Sequence, residues 1–247
     1  MSRTILLTLL FTSLLTPALS QRAEDFQTVA QDGAWCWFSD PRSVFYKGKQ
    51  ERTYTGIVSS TGDIVVSAQD HRTGETATQT IYKGLEVDDH VNPSILFLPD
   101  GRLMVFFTRH GGALFYTTSK APEDISGFET IDSLNLGNRL CYTNPVLLSE
   151  ENNRIYLFFR GGNDWKPTFI TSDDWGKNWS APKVFVSKKI NNSNNRPYTK
   201  VFSDGKSNIH FAFTDGHPRE ENHNSIYYLR YAGGFFFDAA GKQVGDM

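Results

Sequence analysis

Short apolar runs separated by polar turns dominate the chain beyond residue 90. Three successive segments share one pattern, in which two apolar runs flank a turn and a third run follows. No long segment has the 3.6-residue period of a helix. Asp100-Gly101 and Asp204-Gly205 lie in two of the turns, which favours β-hairpins. The pattern therefore predicts antiparallel meanders in an all-β fold, with strands at Ser94–Leu98, Leu103–Thr108, Leu114–Thr118, Val146–Leu148, Ile155–Arg160, Thr168–Ser172, Tyr198–Phe202, Ile209–Thr214 and Ser225–Tyr231.

The meanders follow a regular repeat. Pro41, Pro93, Pro145 and Pro197 succeed one another at intervals of 52 residues. A repeat of about 40 to 50 residues with three or four antiparallel strands has the size of a propeller blade, which buries its faces only against neighbouring blades. Residues 172–179 (SDDWGKNW) also match the Asp-box, a structural turn motif. We predict a β-propeller, with a β-sandwich or a solenoid as the alternative.

The ends of the chain carry separate expectations. Residues 1–20 place Arg3 before an apolar run and end in Ala18-Leu19-Ser20, as in a cleavable secretory signal peptide. The run is too short for a bilayer core of about 30 Å, so we expect a secreted or periplasmic protein without a membrane partner. Residues 21–247 would hold about four to five blades of this size. That is a poor number for a closed ring, and it predicts that further blades are missing at the C-terminal end.

Composition narrows the possible partners. The net charge is -2, with 39% hydrophobic and 14% aromatic residues, so we expect no nucleic-acid partner. A local basic cleft for an acidic substrate remains compatible with that charge. Cys36 and Cys141 could form one disulfide, but two buried thiols are the favoured interpretation. Because the chain has no C-x-x-C or H-E-x-x-H spacing, we expect no metal and no cofactor.

Polar side chains recur where the hairpins begin and end. His90 and Tyr142 each stand three residues before a repeat proline, and His110 and Arg160 end the second strands of the same two units. Those positions lie at one end of a meander, so we predict that all four converge on one face, with Asp88 and Asp89 nearby and the Asp-box on the opposite face. The corresponding loops supply the predicted substrate-binding residues Asn92, Asn144, Arg196, Tyr198 and His217.

This set of side chains suggests β-elimination on an anionic polysaccharide that contains uronate. Arg160 would neutralise the uronate carboxylate, because its planar donor set suits a carboxylate. His90 or His110, together with Tyr142, would act as base and acid, and the assignment between them stays open. The structural alternative is a salt bridge of Arg160 with Asp88 or Asp89, with the other side chains hydrogen-bonded in place. Trp35 and Trp37 would pack in the first blade or stack on sugar rings.

Three segments carry a family likeness: residues 34–42 (AWCWFSDPR), 88–93 (DDHVNP) and 213–219 (FTDGHPR), together with the pair Arg109-His110. With these motifs the chain resembles the BNR-repeat proteins that include ulvan lyases, secreted seven-bladed propellers that cleave a sulfated algal polysaccharide next to its uronic acid. The resemblance implies a ring of seven blades. It also implies an active site of two histidines, a tyrosine and an arginine, which match His90, His110, Tyr142 and Arg160.

Two other functions fit parts of the sequence. The Asp-box also suggests a glycoside hydrolase of the sialidase type, whose sites rely on clustered arginines, a tyrosine and carboxylates rather than on histidines. A propeller that binds glycans without turnover is the second alternative, and it would keep its binding when His90 and His110 are replaced.

Overall fold

The computed structural model describes residues 26–34, 40–137, 139–162, 165–187, 196–217 and 219–247. The predicted signal peptide and Trp35, Cys36 and Trp37 lie outside the described residues, so the expectations for them stay predictions. Within the described part, no helix is long and apolar enough to cross a membrane.

Four antiparallel sheets follow one another along the described chain, and each is a meander of consecutive strands. Blade 1 contains β1 (Ser43–Lys47), β2 (Glu51–Val58), β3 (Ile64–Asp70) and β4 (Thr76–Tyr82). Blade 2 contains β5 (Ser94–Phe97), β6 (Leu103–Thr108), β7 (Leu114–Thr118) and β8 (Asp132–Leu134). Blade 3 contains β9 (Cys141–Leu148), β10 (Arg154–Gly161), β11 (Lys166–Ser172) and β12 (Lys183–Val184). Blade 4 contains β13 (Thr199–Ser203), β14 (Asn208–Thr214), β15 (Ile226–Ala232), β16 (Phe235–Phe237) and β17 (Gln243–Asp246).

The predicted all-β propeller architecture is confirmed, with four blades in the described residues. Each predicted strand overlaps an observed one, but β9 begins at Cys141 rather than at Val146. Polar Thr143 and Asn144 hid this extension in the sequence, although both are buried. Pro145 is tolerated within β9 because β9 is an edge strand of its sheet. Seven blades in a closed ring, and blades missing beyond residue 247, stay predictions.

Apolar side chains fill the space between successive blades. One cluster joins blades 1 and 2 around Tyr54 and Phe107, a second joins blades 2 and 3 around Phe106 and Leu157, and a third joins blades 3 and 4 around Phe158. These residues are at most 2% exposed. Each blade therefore covers its neighbour, as the size of the repeat predicted.

A glycine sets how closely blades 1 and 2 approach. Gly56 lies in β2, and a Cβ atom there would stand 2.6 Å from the carbonyl oxygen of the repeat proline Pro93. Real Cβ atoms essentially never come within 3.0 Å of another atom. Because the obstructing atom is backbone, only glycine fits without moving the blades apart.

The Asp-box forms the turn after β11. The Ser172 hydroxyl accepts from the Gly176 N–H at 2.8 Å, and Asp174 Oδ1 accepts from the Asn178 N–H at 2.8 Å. Trp179 packs edge-on against aromatic rings of blade 2. Because Ser172 pairs with Ile155 at the start of β10, the motif lies at the opposite end of that strand from Arg160, as expected.

Polar contacts of Asp40 connect blade 1 with blades 3 and 4. Asp40, just before β1, forms an ion pair with Lys200 of β13, and its backbone N–H donates to Asn144 Oδ1 of β9 at 3.1 Å. These contacts span up to 160 residues of sequence. A cavity of about 1030 Å³ lies beside them, lined in part by Asn92 and Asn144. The segments just before β1 and β5 and part of β9 therefore line one cavity.

Candidate active site

Two parallel imidazole rings form the centre of the candidate site. His90 lies in a short 3-10 helix, Asp89–Val91, before blade 2, and His110 follows the end of β6. The ring centroids are 4.0 Å apart and the planes differ by 6°. Both side chains are partly exposed. His90 lies in the loop before a repeat proline, and His110 lies at the end of the second strand of the same blade. These two segments were predicted to meet, and their meeting brings the two rings together.

One carboxylate contacts both histidines. Asp88 Oδ1 lies 2.5 Å from His90 Nδ1, and Asp88 Oδ2 lies 3.0 Å from His110 Nδ1. Partial burial raises the pKa of Asp88, but hydrogen bonds from the backbone and ring of His90 outweigh that effect, so the pKa lies below its usual range. The carboxylate is therefore ionised at neutral pH.

Tyr142 reaches the same place through an irregular stretch of β9. The register between β9 and β10 shifts between Phe158 and Arg160, which is a β-bulge, and Tyr142 has the left-handed φ of 61°. Asn144 Nδ2 donates to the Tyr142 carbonyl oxygen at 2.7 Å and holds this conformation. The Tyr142 ring stacks on His90, with centroids 5.1 Å apart. A tyrosine rarely adopts positive φ, so the backbone strain is local and coincides with the site.

Arg160 ends β10 inside a box of aromatic rings. Its Cζ atom lies 4.8 Å from the ring centroid of Tyr142, 4.9 Å from that of Trp165 and 4.7 Å from that of Tyr198. The residue is only 8% exposed, and within the described part of the chain its Nε and Nη1 have no hydrogen-bond partner. Burial lowers the pKa of Arg160, but the nearby Cys141, Tyr198 and Tyr142 outweigh it and raise the pKa.

The salt bridge that the sequence offered as an alternative is not formed among the described residues: Asp88 contacts the histidines, and Arg160 stands among the rings. Cys141 beside Arg160 is buried as a thiol, as the sequence favoured. The guanidinium thus carries donors for a further group.

Segments next to the strands of blade 4 extend the cluster around Arg160. The Tyr198 and His217 ring centroids are 5.4 Å apart, and His217 Nδ1 accepts from the Arg219 N–H at 3.0 Å. Burial, followed by the charges of Arg196, Arg160 and Arg219, lowers the pKa of His217, which stays neutral at pH 7. Arg196 Nη2 pairs with Glu220 at 2.5 Å.

The side chains of the two predicted substrate-binding asparagines form hydrogen bonds within the protein. Asn92 is 2% exposed, and its Nδ2 donates to the Pro93 carbonyl oxygen at 3.4 Å. The Asn144 side chain uses both of its ends, on the Tyr142 carbonyl and on the Asp40 N–H. Contact of either residue with a substrate stays a prediction, as do the roles of the other predicted site residues.

The sequence reasoning missed two residues of this cluster. Trp165 lies 5.5 Å from the His110 ring as well as against Arg160, and it has a positive φ of 56°. Glu86 Oε2 accepts from the His110 N–H at 2.8 Å. Both residues belong to loops outside the repeat positions that were compared, and an aromatic residue next to the end of β10 was the available signal for Trp165.

Asp88, His90 and His110 also offer donor atoms within 4.8 Å of one another, the donor types that bind transition metals. The geometry does not fit an ion well. The rings lie in nearly parallel planes with centroids 4.0 Å apart, so in-plane lone pairs of the two rings do not meet at one point, and Asp88 already contacts both Nδ1 atoms. A shared ion would require at least one ring to turn.

Comparison with known proteins places this geometry in context. A family model described as a BNR repeat-containing family member matches residues 52–247. An ulvan lyase from Alteromonas sp. (strain LOR) is 29% identical over 124 residues, which are 43% of this chain and 24% of that protein. An ulvan lyase from Nonlabens ulvanivorans is 30% identical over 122 residues, 42% of this chain and 25% of that protein.

Solved structures agree on the fold. A polysaccharide lyase family PL25 ulvan lyase, bound to -[GlcA(1-4)Rha3S]-, superposes with a TM-score of 0.69 at 19% identity, over 87% of this chain and 57% of that one. The lyase Uly1 superposes with a TM-score of 0.53 at 14% identity, over 89% of this chain and 55% of the other. The chain thus spans little more than half of these structures and matches about a quarter of the curated relatives' length.

Proposed function

The chain belongs to the BNR repeat-containing family, and from this premise we propose that it is a polysaccharide lyase that cleaves uronate-containing, ulvan-like chains by β-elimination. Similarity to ulvan lyases supports lyase activity at the level of the family. The uronate specificity and the roles of individual residues are inferred from the side chains of the site. A secreted or periplasmic location, suggested by residues 1–20, belongs to the same proposal.

The environment of Arg160 is the main support for this proposal. Its guanidinium is buried among aromatic rings, and two of its donor nitrogens have no partner within the described residues. A buried donor without a partner costs about 1–3 kcal/mol, and more when it is charged. A carboxylate that binds there in a two-pronged manner removes that cost and gains charge-assisted hydrogen bonds. The uronate carboxylate is such a group.

The neighbouring side chains supply the proton transfers. Neutralising the carboxylate makes the C5 proton of the uronate more acidic, because negative charge that develops at C5 is shared with the carboxylate. A base removes that proton, the electron pair forms the C4–C5 double bond, and the bond from C4 to the glycosidic oxygen breaks. The leaving oxygen then takes a proton from an acid. His90 or His110 and Tyr142 divide these roles, since both residue types transfer protons when suitably placed.

The experiment is a difference spectrum with two histidine variants. The elimination product contains a 4,5-unsaturated uronate that absorbs in the near ultraviolet, whereas a hydrolysis product does not. We expect ulvan to produce this absorbance with the wild-type protein and His110→Ala to abolish it. His71→Ala is the matched control, because His71 follows the end of β3, the end of the blade away from the site, and its side chain contacts Thr53 and Phe45 of blade 1. It should retain full activity.

The remaining outcomes separate the alternatives. Cleavage without new absorbance would indicate a hydrolase of the sialidase type. Binding without cleavage, retained after replacement of both His90 and His110, would indicate a glycan-binding propeller, a function that the partly exposed Trp165 and Tyr198 could serve by stacking on sugars.

A further inference from the structure

We propose that Asp88 is a positioning residue that fixes both His90 and His110 as the tautomer with the proton on Nδ1, leaving both Nε2 atoms as proton acceptors toward the substrate. This inference rests on the proposed function for its kinetic consequence. Its structural content is independent of that function, because it concerns where two protons reside in the protein without substrate.

The hydrogen-bonding chemistry of Asp88 allows only one arrangement of protons. An ionised carboxylate can accept hydrogen bonds but cannot donate them. Asp88 directs one oxygen to each Nδ1 atom, at 2.5 Å for His90 and 3.0 Å for His110. Each Nδ1 must therefore carry the hydrogen. In a neutral imidazole the other nitrogen is then a lone-pair acceptor.

Stacking fixes the remaining freedom of the two rings. Tyr142 packs on His90, His90 packs on His110, and Trp165 leans against His110, so the four rings form a column. The column holds the ring planes but does not distinguish one ring nitrogen from the other. Asp88 makes that distinction for both rings at once.

Asp88 is itself held in place by the backbone. Its Oδ1 accepts from the His90 N–H at 2.8 Å, which caps the short 3-10 helix, and the His110 N–H donates to Glu86. The backbone segments that carry the two histidines are therefore fixed relative to the carboxylate. Asparagine caps a helix about as well as aspartate does, so Asp88→Asn keeps the local fold while it removes one of the two carboxylate acceptors.

The decisive measurement is the tautomer of each histidine, read from ¹⁵N chemical shifts of the two ring nitrogens by NMR. In the wild-type protein without substrate, both rings should show a protonated Nδ1 and an unprotonated Nε2. In Asp88→Asn, at least one ring should change to the Nε2–H form. We also expect kcat on ulvan to fall by up to about 10⁴-fold while KM stays nearly constant, because replacing an orienting aspartate by asparagine leaves a catalytic histidine in the wrong tautomer.

Asp89→Asn is the matched control. It makes the same change of charge in the adjacent residue. Asp89 Oδ1 also lies 3.1 Å from His90 Nδ1, but Asp89 is more exposed, and the carboxylate that contacts His110 as well is that of Asp88. We expect unchanged tautomers and a rate within about five-fold of wild type, the most that an exposed ion pair contributes. A rate loss in Asp89→Asn equal to that in Asp88→Asn would mean that charge alone matters, and it would overturn the positioning role.

Other outcomes also decide the matter. An Nε2–H tautomer on either histidine of the wild type refutes the proposal, and so does an active wild type whose Asp88→Asn variant keeps its kcat. If a chelator changes the tautomers and Zn²⁺ restores them, the three residues are metal ligands and the proposal is wrong. If the wild type cleaves no polysaccharide but both rings carry Nδ1–H, the proposed function fails while the tautomer assignment stands.

Discussion

Replacing Arg160 by methionine should separate activity from stability. Methionine fills much of the same volume and packs well against aromatic rings, but it removes every donor. We expect kcat/KM on ulvan to fall by about 10³-fold, the upper range for losing a donor that stabilises charge in a transition state. Arg160→Lys keeps the charge but loses the planar fork, and it should lose about 10- to 100-fold.

The stability of the same variant should hardly change. Three cation–π contacts contribute about 0.5–2 kcal/mol each, or about 2–6 kcal/mol together. Against that, the native protein keeps a guanidinium 8% exposed with two nitrogens unpartnered among the described residues, and unsatisfied charged donors cost a similar several kcal/mol. These opposing contributions nearly cancel, so the free energy of unfolding should change by no more than about 1 kcal/mol.

The assay pairs the ultraviolet rate with urea unfolding. Arg154→Lys is the control, because Arg154 begins the same strand β10 at its far end and pairs with the exposed Asp173. It should keep kcat/KM within about five-fold, and the free energy of unfolding within about 1 kcal/mol, of the wild-type values. The reasoning is refuted if Arg160→Met lowers the free energy of unfolding by more than about 3 kcal/mol. Arg160 would then stabilise the packing of the aromatic rings rather than serve to bind a carboxylate.

Three further changes test other parts of the structure. Tyr142→Phe should lower kcat by about 10²- to 10⁴-fold if the hydroxyl transfers a proton, with an unchanged melting temperature, and an unaltered kcat would remove Tyr142 from the mechanism. The pKa of His217 is lowered below 6.5 in the folded state, so the unfolded chain binds the proton more readily and stability is lost as pH falls below 6.5. His217→Gln should therefore reduce the drop in melting temperature between about pH 7 and pH 5, and an equal drop in both proteins would contradict the lowered pKa. Gly56→Ala should destabilise by about 1–3 kcal/mol, the usual cost of overpacking, because its Cβ meets the Pro93 carbonyl oxygen; a fully stable variant would show that blades 1 and 2 can move apart at little cost.

The repeat explains why much of the fold was predictable from the sequence. Equal spacing of the prolines fixed the blade length, and the alternation of apolar runs and turns located the strands. The same spacing placed His90 beside His110 and Tyr142 beside Arg160 without any knowledge of side-chain contacts. A periodic sequence reports on equivalent positions, and most of the predicted site residues occupy such positions.

What the repeat does not encode was harder to predict. The bulge that gives Tyr142 a positive φ depends on Asn144, whose polar character suggested a substrate contact. Trp165 reaches Arg160 from a loop with no counterpart among the compared positions. The bridging role of Asp88 depends on which oxygen faces which ring. Each of these features depends on local backbone geometry, which spacing and residue type alone do not determine.

The equivalence of His90 and Tyr142 within the repeat bears on how such a site can change over time. The position three residues before the repeat proline holds Phe38, His90, Tyr142 and Asn194 in successive units. The same position of the repeat thus carries an apolar, a basic, a phenolic and an amide side chain. A repeated blade brings a loop at the equivalent position of the fold. A single substitution there can then change the chemistry of the side chain while the scaffold stays the same.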